Sequence, residues 1–190
     1  MKYTIKQSSP EDAPLIAKAI GMALEIDIYD GSDDAEWCRK VFGILASRDD
    51  SQYSYRNTLK AVTSDGRAIG FLVNYDGAML HTLREAFFEV VKECTGEDLR
   101  GISDETDPDE WYLDSLAVWP EYRRLGIGSA LIKAGISNAK AAGKPAGLLV
   151  DKDNIEAQKM YETHGFKYVD DRQFAGRMMN HMRVNGYNRG

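Results

Sequence analysis

Residues 112–135, YLDSLAVWPEYRRLGIGSALIKAG, decide the fold. The run from Trp111 to Val118 reads as a strand. A turn carrying Gly126 and Gly128 follows, and a helix opens directly from it. The first N–H groups of such a helix lack intrahelical partners, so the turn presents donors to an anion. Gly126 and Gly128 let the backbone approach a diphosphate with no Cβ in the way, and Arg123 and Arg124 add two positive charges nearby. The two glycines alone would equally make a plain strand-to-helix turn with the arginines on a solvated face. A Rossmann loop is excluded because its third glycine would fall at Leu131, and a Walker loop because no Gly-Lys-Ser/Thr follows.

Downstream, the helix runs to Ala142 and is stopped by Gly143, and a strand covers Ala146 to Asp151, which makes a βαβ unit with parallel strands. A helix from about Asn154 to His164 ends at Gly165, and strands are predicted at Phe166–Val169 and Met178–Val184. Upstream, residues 2–7 alternate like a strand, and Ser9-Pro10-Glu11-Asp12 reads as the capping-box start of a helix. Asp30-Gly31-Ser32 separates that helix from a second over Asp33–Arg48. Thr58–Ser64 and Ala68–Tyr75 form a hairpin across Asp65-Gly66. Leu80, Leu83, Phe87, Val90, Val91 and Cys94 mark an amphipathic helix that Gly96 terminates. The class is mixed α/β, and no internal repeat is present.

Taken whole, Leu116–Ile132, L-A-V-x-P-E-Y-R-R-x-G-I-G-S-A-L-I, resembles motif A of the GCN5-related N-acetyltransferase family, in which R/Q-x-x-G-x-G/A grips the CoA pyrophosphate. Asn154 together with Ala157–Phe166, AQKMYETHGF, is similar to the family's N-x-x-A-x-x-x-Y-E-x-x-G-F segment. The two motifs span about residues 111–170, whereas the N-terminal half matches only the family's order of elements. The resemblance implies a central twisted, mostly antiparallel sheet with a parallel βαβ acetyl-CoA-binding unit and flanking helices. It implies one domain over 1–190, with acceptor-side helices at about 9–48 and a helical, acidic insertion at about 79–110. Acetyl-CoA would be the cosubstrate, held by Leu116, Ala117, Val118, Arg123, Arg124, Leu125, Gly126, Ile127, Gly128, Ser129 and Asn154. An N–H at Leu116 or its neighbours would receive the oxyanion, Tyr161 would be the general acid for the leaving thiolate, and an amine would attack directly in a ternary complex.

An alkylammonium of pKa about 10.4 is neutral in only about one part per thousand near pH 7, which unaided forfeits roughly 4 kcal/mol. A carboxylate at the acceptor side, its pKa raised by desolvation, can take that proton. Asp114 is the candidate, on the strand face shared with Tyr112, Leu116 and Val118; the alternative is that it only shapes the site through hydrogen bonds. Asn154 and Tyr161 lie seven residues apart, two helical turns, so one helix face can line the pantetheine arm and the sulfur.

With 24 basic and 30 acidic residues and a net charge of -6, the 190-residue chain has no global attraction to nucleic acid or anionic lipid. The start MKYTIKQSSPED has no apolar leader and no long uncharged apolar run occurs, so a cytoplasmic protein is expected. Cys38 and Cys94 have no CxxC spacing, and His81, His164 and His181 have no ligand-like spacing, so neither disulfide nor metal is expected. Met178, Met179 and Met182 read as core filling. Glu97–Glu110 holds seven acids against Arg100 alone and reads as a solvated loop, able to attract a cationic acceptor. A sheet edge near 178–184 could pair two subunits. The resemblance implies a small cationic amine as acceptor, because the family's ribosomal-protein N-terminal acetyltransferases usually carry a catalytic acid in the second motif strand, where this chain has Leu149. A protein amine, or a non-catalytic acyl-CoA-binding module, are the alternatives.

Overall fold

The computed structural model describes residues 1–27 and 29–185. Ile28 and residues 186–190, the last of which close the expected 1–190 domain, lie outside the described residues. In chain order the elements are β1 (Tyr3–Gln7), α1 (Ala13–Ala23), α2 (Asp33–Ser47), β2 (Thr58–Thr63), β3 (Ala68–Asp76), α3 (Leu80–Thr95), β4 (Trp111–Val118), α4 (Ile127–Ala141), β5 (Ala146–Asp151), α5 (Ile155–Thr163), β6 (Lys167–Phe174) and β7 (Arg177–Val184). The strands form one sheet in the order β1-β2-β3-β4-β5-β7-β6. Among the described strands only the β4–β5 pair is parallel, as the βαβ reading requires.

The start of α1 is built as its sequence suggests. The Asp12 carboxylate accepts the Ser9 N–H at 2.8 Å and pairs with Lys60 of β2, so the cap also pins the helix to the sheet. A 3-10 turn over Pro10–Asp12 intervenes before the α-helix proper. Gly96 and Gly165 stop α3 and α5 with φ of 79° and 88°, a conformation in which a Cβ is strained. α4 packs on β3 and β4 so closely that a Cβ on Gly135 would stand 2.9 Å from Leu72 and 3.2 Å from Leu113. Ile16, Ile20, Phe71, Leu72, Leu131 and Ile132 are all buried in the core on which these layers close.

Two expectations fail. The strand at 177–184 is not an edge. β6 continues to Phe174, past its expected end at Val169, turns through Ala175-Gly176 and lies outside β7, so the edges among the described strands are β1 and β6. The solvated acidic loop fails in part: Glu97, Asp98, Asp104 and Asp109 are exposed, but two of the acids are not. Glu105 and Glu110 are buried, because arginines remote in sequence reach them: Arg84 from α3 pairs with Glu105 and Asp104, Arg172 with Asp107, and Arg183 with Asp109 and Glu110. With those charges already matched, the segment has little left to draw in a cationic acceptor. Of the methionines, Met182 fills the core as expected, but Met178 is exposed.

Candidate active site

β4 and β5 are paired only at Trp111–Ala146 and Tyr112–Gly147. Beyond Tyr112 the two strands diverge, and the pairing of β4 with β3 slips by one residue at Asp114. A bulge of this kind leaves one residue without a cross-strand partner and re-aims its neighbours. Two cavities adjoin at the resulting gap, sharing Met22, Leu116, Asn154, Ala157 and Met160.

The first cavity, of about 590 Å³, lies between the start of α4 and α5. Arg124 and Gly126 both take positive φ, 60° and 78°, which folds the loop back and aims α4 at the cleft. The first intrahelical bond runs from Ala130 N–H to the Gly126 carbonyl, so the N–H groups of Ile127, Gly128 and Ser129 have no helical partner. A Cβ on Gly128 would meet nothing of the protein nearer than 3.9 Å, so the glycine there is not demanded by packing; it keeps the helix start bare toward the cavity. Arg123 Nε donates to the Val118 carbonyl at 3.3 Å, while the Arg124 guanidinium is exposed, 3.7 Å from Glu156. Leu116, Ala117, Val118, Ser129 and Asn154 also line this space. Leu125 does not, and its side chain is largely exposed. Asn154 caps α5 by accepting the Ala157 N–H at 3.0 Å, so it precedes the helical face on which Tyr161 sits. His164, at the other end of α5, meets Ser129 Oγ at 3.1 Å and ties α5 to the first turn of α4.

The second cavity, of about 340 Å³, has Asp114, Tyr53, Tyr112, Leu149, Tyr161 and Met179 among its walls. Burial pushes the Asp114 carboxyl up to about 6 against two opposing influences, a 2.6 Å hydrogen bond from Ser115 Oγ and the charge of Arg84. Burial also raises the hydroxyls of Tyr53, Tyr75 and Tyr112 well above their ordinary value, and the nearby Asp114 charge adds to it. Tyr161, whose ring packs edge-on to Phe166 at 5.8 Å, is raised to about 12 by burial alone. Tyr53 and Arg84 were not anticipated: Tyr53 sits in the irregular segment between α2 and β2, where no periodicity flags a wall residue.

Asp107, Glu110 and His181 bring donor atoms within 4.8 Å of one another. Their atoms are already engaged, His181 Nε2 and Arg183 Nε each 3.0 Å from Glu110 Oε2 and Arg172 Nη2 3.1 Å from Asp107, so the donor set suits an ion-pair cluster better than a cation. A Cβ on Gly147 would fall 2.1 Å from Glu110, so the cluster also fixes that glycine.

A sequence model of the acetyltransferase (GNAT) family matches residues 27–166. The chain belongs to the GNAT acetyltransferase family. Among solved structures, the GNAT chain is similar to an acetyltransferase crystal structure at TM-score 0.78 and 30% identity, covering 97% of this chain and all of that one. It also superposes on an N-acetyltransferase from Staphylococcus aureus Mu50 at TM-score 0.79 and 22% identity over 95% of this chain and all of that one, a likeness of fold. A mycothiol acetyltransferase from Nocardiopsis dassonvillei is 36% identical over 99 residues, 50% of this chain; the match covers only 29% of that relative's length. No helix among the described residues is long and apolar enough to cross a membrane.

Proposed function

We propose that the protein transfers the acetyl group of acetyl-CoA to the amine of a small cationic acceptor, by direct attack in a ternary complex. The observation that carries this reading is the meeting of two cavities at the β4–β5 gap, one ending on a bare helix N-terminus and the other on a desolvated carboxylate. The free N–H groups of Ile127, Gly128 and Ser129, with Arg123 and Arg124 at the mouth, suit a diphosphate. Leu116, Ala117 and Val118 offer the backbone of a strand edge along which a pantetheine arm can lie, and Asn154 closes the other side. Bound there, acetyl-CoA supplies an activated acyl group with a thiol as leaving group.

Asp114 takes a proton from the bound ammonium, and the neutral amine so formed attacks the thioester carbonyl. With a value near 6 the carboxyl is ionised at neutral pH yet basic enough to accept that proton. The backbone N–H groups of β4 around Leu116, which β5 no longer pairs, receive the developing oxyanion. Tyr161 acts on the leaving sulfur. Its hydroxyl stays protonated to about pH 12, whereas a thiol ionises near 8.5, so Tyr161 stabilises the thiolate chiefly as a hydrogen-bond donor.

Incubation of the full chain with acetyl-CoA and a panel of amines, with free thiol recorded, tests this. Amine-dependent thiol release is expected. CoA binding without release on any amine would instead favour a non-catalytic acyl-CoA-binding module, and preferential release on peptide amines would favour a protein acceptor.

A further inference from the structure

We infer that the acceptor is a primary amine with a single positive charge on a compact, largely apolar body, recognised by a tyrosine-walled box around Asp114. This rests on the acetyl-transfer reading of the same cavity. The box is rigid because each tyrosine is held from behind. The Tyr53 ring meets Phe42 edge-on at 4.9 Å and Phe87 at 5.9 Å, and Phe42 meets Trp37 at 5.5 Å, an aromatic chain that joins α2 and α3 to the cavity wall. The Tyr112 ring lies 5.7 Å from that of Tyr75, and Leu80, Leu83 and Leu149 pack on the pair. Tyr75 in turn donates its hydroxyl to Glu105 Oε1 at 3.0 Å.

Charge bookkeeping within the cavity selects a monocation. Glu105 is matched by Arg84, which is 3% exposed, and also accepts from Gln52 Nε2 at 2.9 Å, so its charge does not reach the acceptor. Asp151, at the mouth, is paired with Arg177. Glu25, also at the mouth, is exposed, where water weakens any pairing. Among the described acids of this cavity, Asp114 alone is desolvated without a direct ion-pair partner. The neutral tyrosine faces beside it suit one ammonium by cation–π attraction. A second ammonium on the same molecule would meet the Arg177 guanidinium or be stripped of water against Leu149, Phe174 and Met179. A cavity of about 340 Å³ also favours a compact body.

Phenethylamine and spermidine separate the two substrate classes. Calorimetric titration of the CoA-loaded full chain should show phenethylammonium binding at least about tenfold more tightly than spermidine, with kcat/KM in the same order. Tyr53→Leu should raise the KM for phenethylamine about tenfold, more than it lowers kcat, and Tyr53→Phe should recover most of that loss because the π face returns. Equal or better binding and turnover of spermidine, or a Tyr53→Leu effect confined to kcat, would overturn the box. If Tyr53→Leu does not fold, the ranking of the two amines on the unaltered protein decides. Phenethylammonium binding with no thiol release on any amine would sink the transfer reading and leave the box standing; turnover with no preference would do the reverse.

Discussion

Replacing Asp114 with asparagine removes the proposed base while keeping the volume and a hydrogen-bond partner for Ser115. At pH 7 an alkylamine of pKa about 10.4 is neutral in about one molecule in 2,500, worth ~4.6 kcal/mol. A positioned base recovers part of that, typically 10²–10³-fold of the 10²–10⁴ range for such groups, so Asp114→Asn should lower kcat/KM by about that factor at pH 7. The raised Asp114 value, about 6, also fixes the profile of the unaltered enzyme. Below pH 6 the carboxylate protonates and kcat/KM should fall about tenfold per unit; from about pH 7 to 9 the profile should be flat, since the acceptor binds as the ammonium. In the asparagine variant the acceptor must arrive neutral, so kcat/KM should instead climb about tenfold per unit across pH 6–9 and approach the unaltered enzyme at the alkaline end. Initial rates of thiol release at low acceptor concentration measure both profiles. An unaltered enzyme whose kcat/KM climbs through pH 6 without a break, or an asparagine variant within about threefold at pH 7, would refute the assignment and leave Asp114 a shaping residue.

The same substitution has a stability signature. Asp114 is raised in the folded state from an unfolded value near 3.8, so its ionisation costs stability above about pH 6 and costs nothing below about pH 4. Asp114→Asn should therefore stabilise the fold by ~3 kcal/mol at pH 8 and leave it nearly unchanged at pH 4, read by denaturant melts at the two pH values. Tyr161→Phe should cut kcat by one to three orders of magnitude with CoA affinity nearly unchanged; an unaltered kcat would remove Tyr161 from the chemistry. Gly128→Ala should raise the KM for acetyl-CoA by about tenfold or more without lowering Tm, since its Cβ enters open cavity, whereas Gly135→Ala should lower Tm through its contacts with Leu72 and Leu113; the opposite pattern would deny the first glycine a ligand. Glu105→Ala should cost ~3–5 kcal/mol of stability by stranding buried Arg84, with no change in the salt dependence of acceptor KM, contrary to an electrostatic funnel in the acidic segment.

What the sequence makes legible here is local. The turn at Gly126, the caps of α3 and α5, and the hairpin at Gly66 each depend on a few adjacent residues, and all stand where the pattern places them. The donor cavity was legible for the same reason, because a strand end, a loop and a helix start are contiguous in the chain. Leu125 departs from that pattern only by facing solvent. The misread features are relations between distant segments. Whether the strand at 177–184 is an edge depends on where β6 lies, and no property of MMNHM encodes that. Whether Glu110 is solvated depends on His181 and Arg183, more than seventy residues on. A local count of seven acids against one base sees none of those partners. The slip of register at Asp114 is equally silent, since it arises from how β3 and β4 meet rather than from a glycine or proline on β4.

The same distinction explains why the site proposed for the donor could be read from contiguous residues and the site proposed for the acceptor could not. The cavity proposed for the acceptor is assembled from the end of α1, Tyr53 before β2, the bulged part of β4, the end of β5, α5 and the β6–β7 hairpin, six segments that only the tertiary fold brings together. β5 is paired with β7 along its whole length but with β4 at only two positions, so the sheet is continuous on one side of β5 and open on the other. That asymmetry creates the gap, and the gap exposes Asp114 and the strand N–H groups to a common volume. Changes at Tyr53, Glu25 or Arg177 would alter which amine reaches Asp114 without touching the glycine loop. On the proposed reading donor and acceptor recognition are separable, so a Tyr53 variant should shift acceptor KM while the KM for acetyl-CoA stays put.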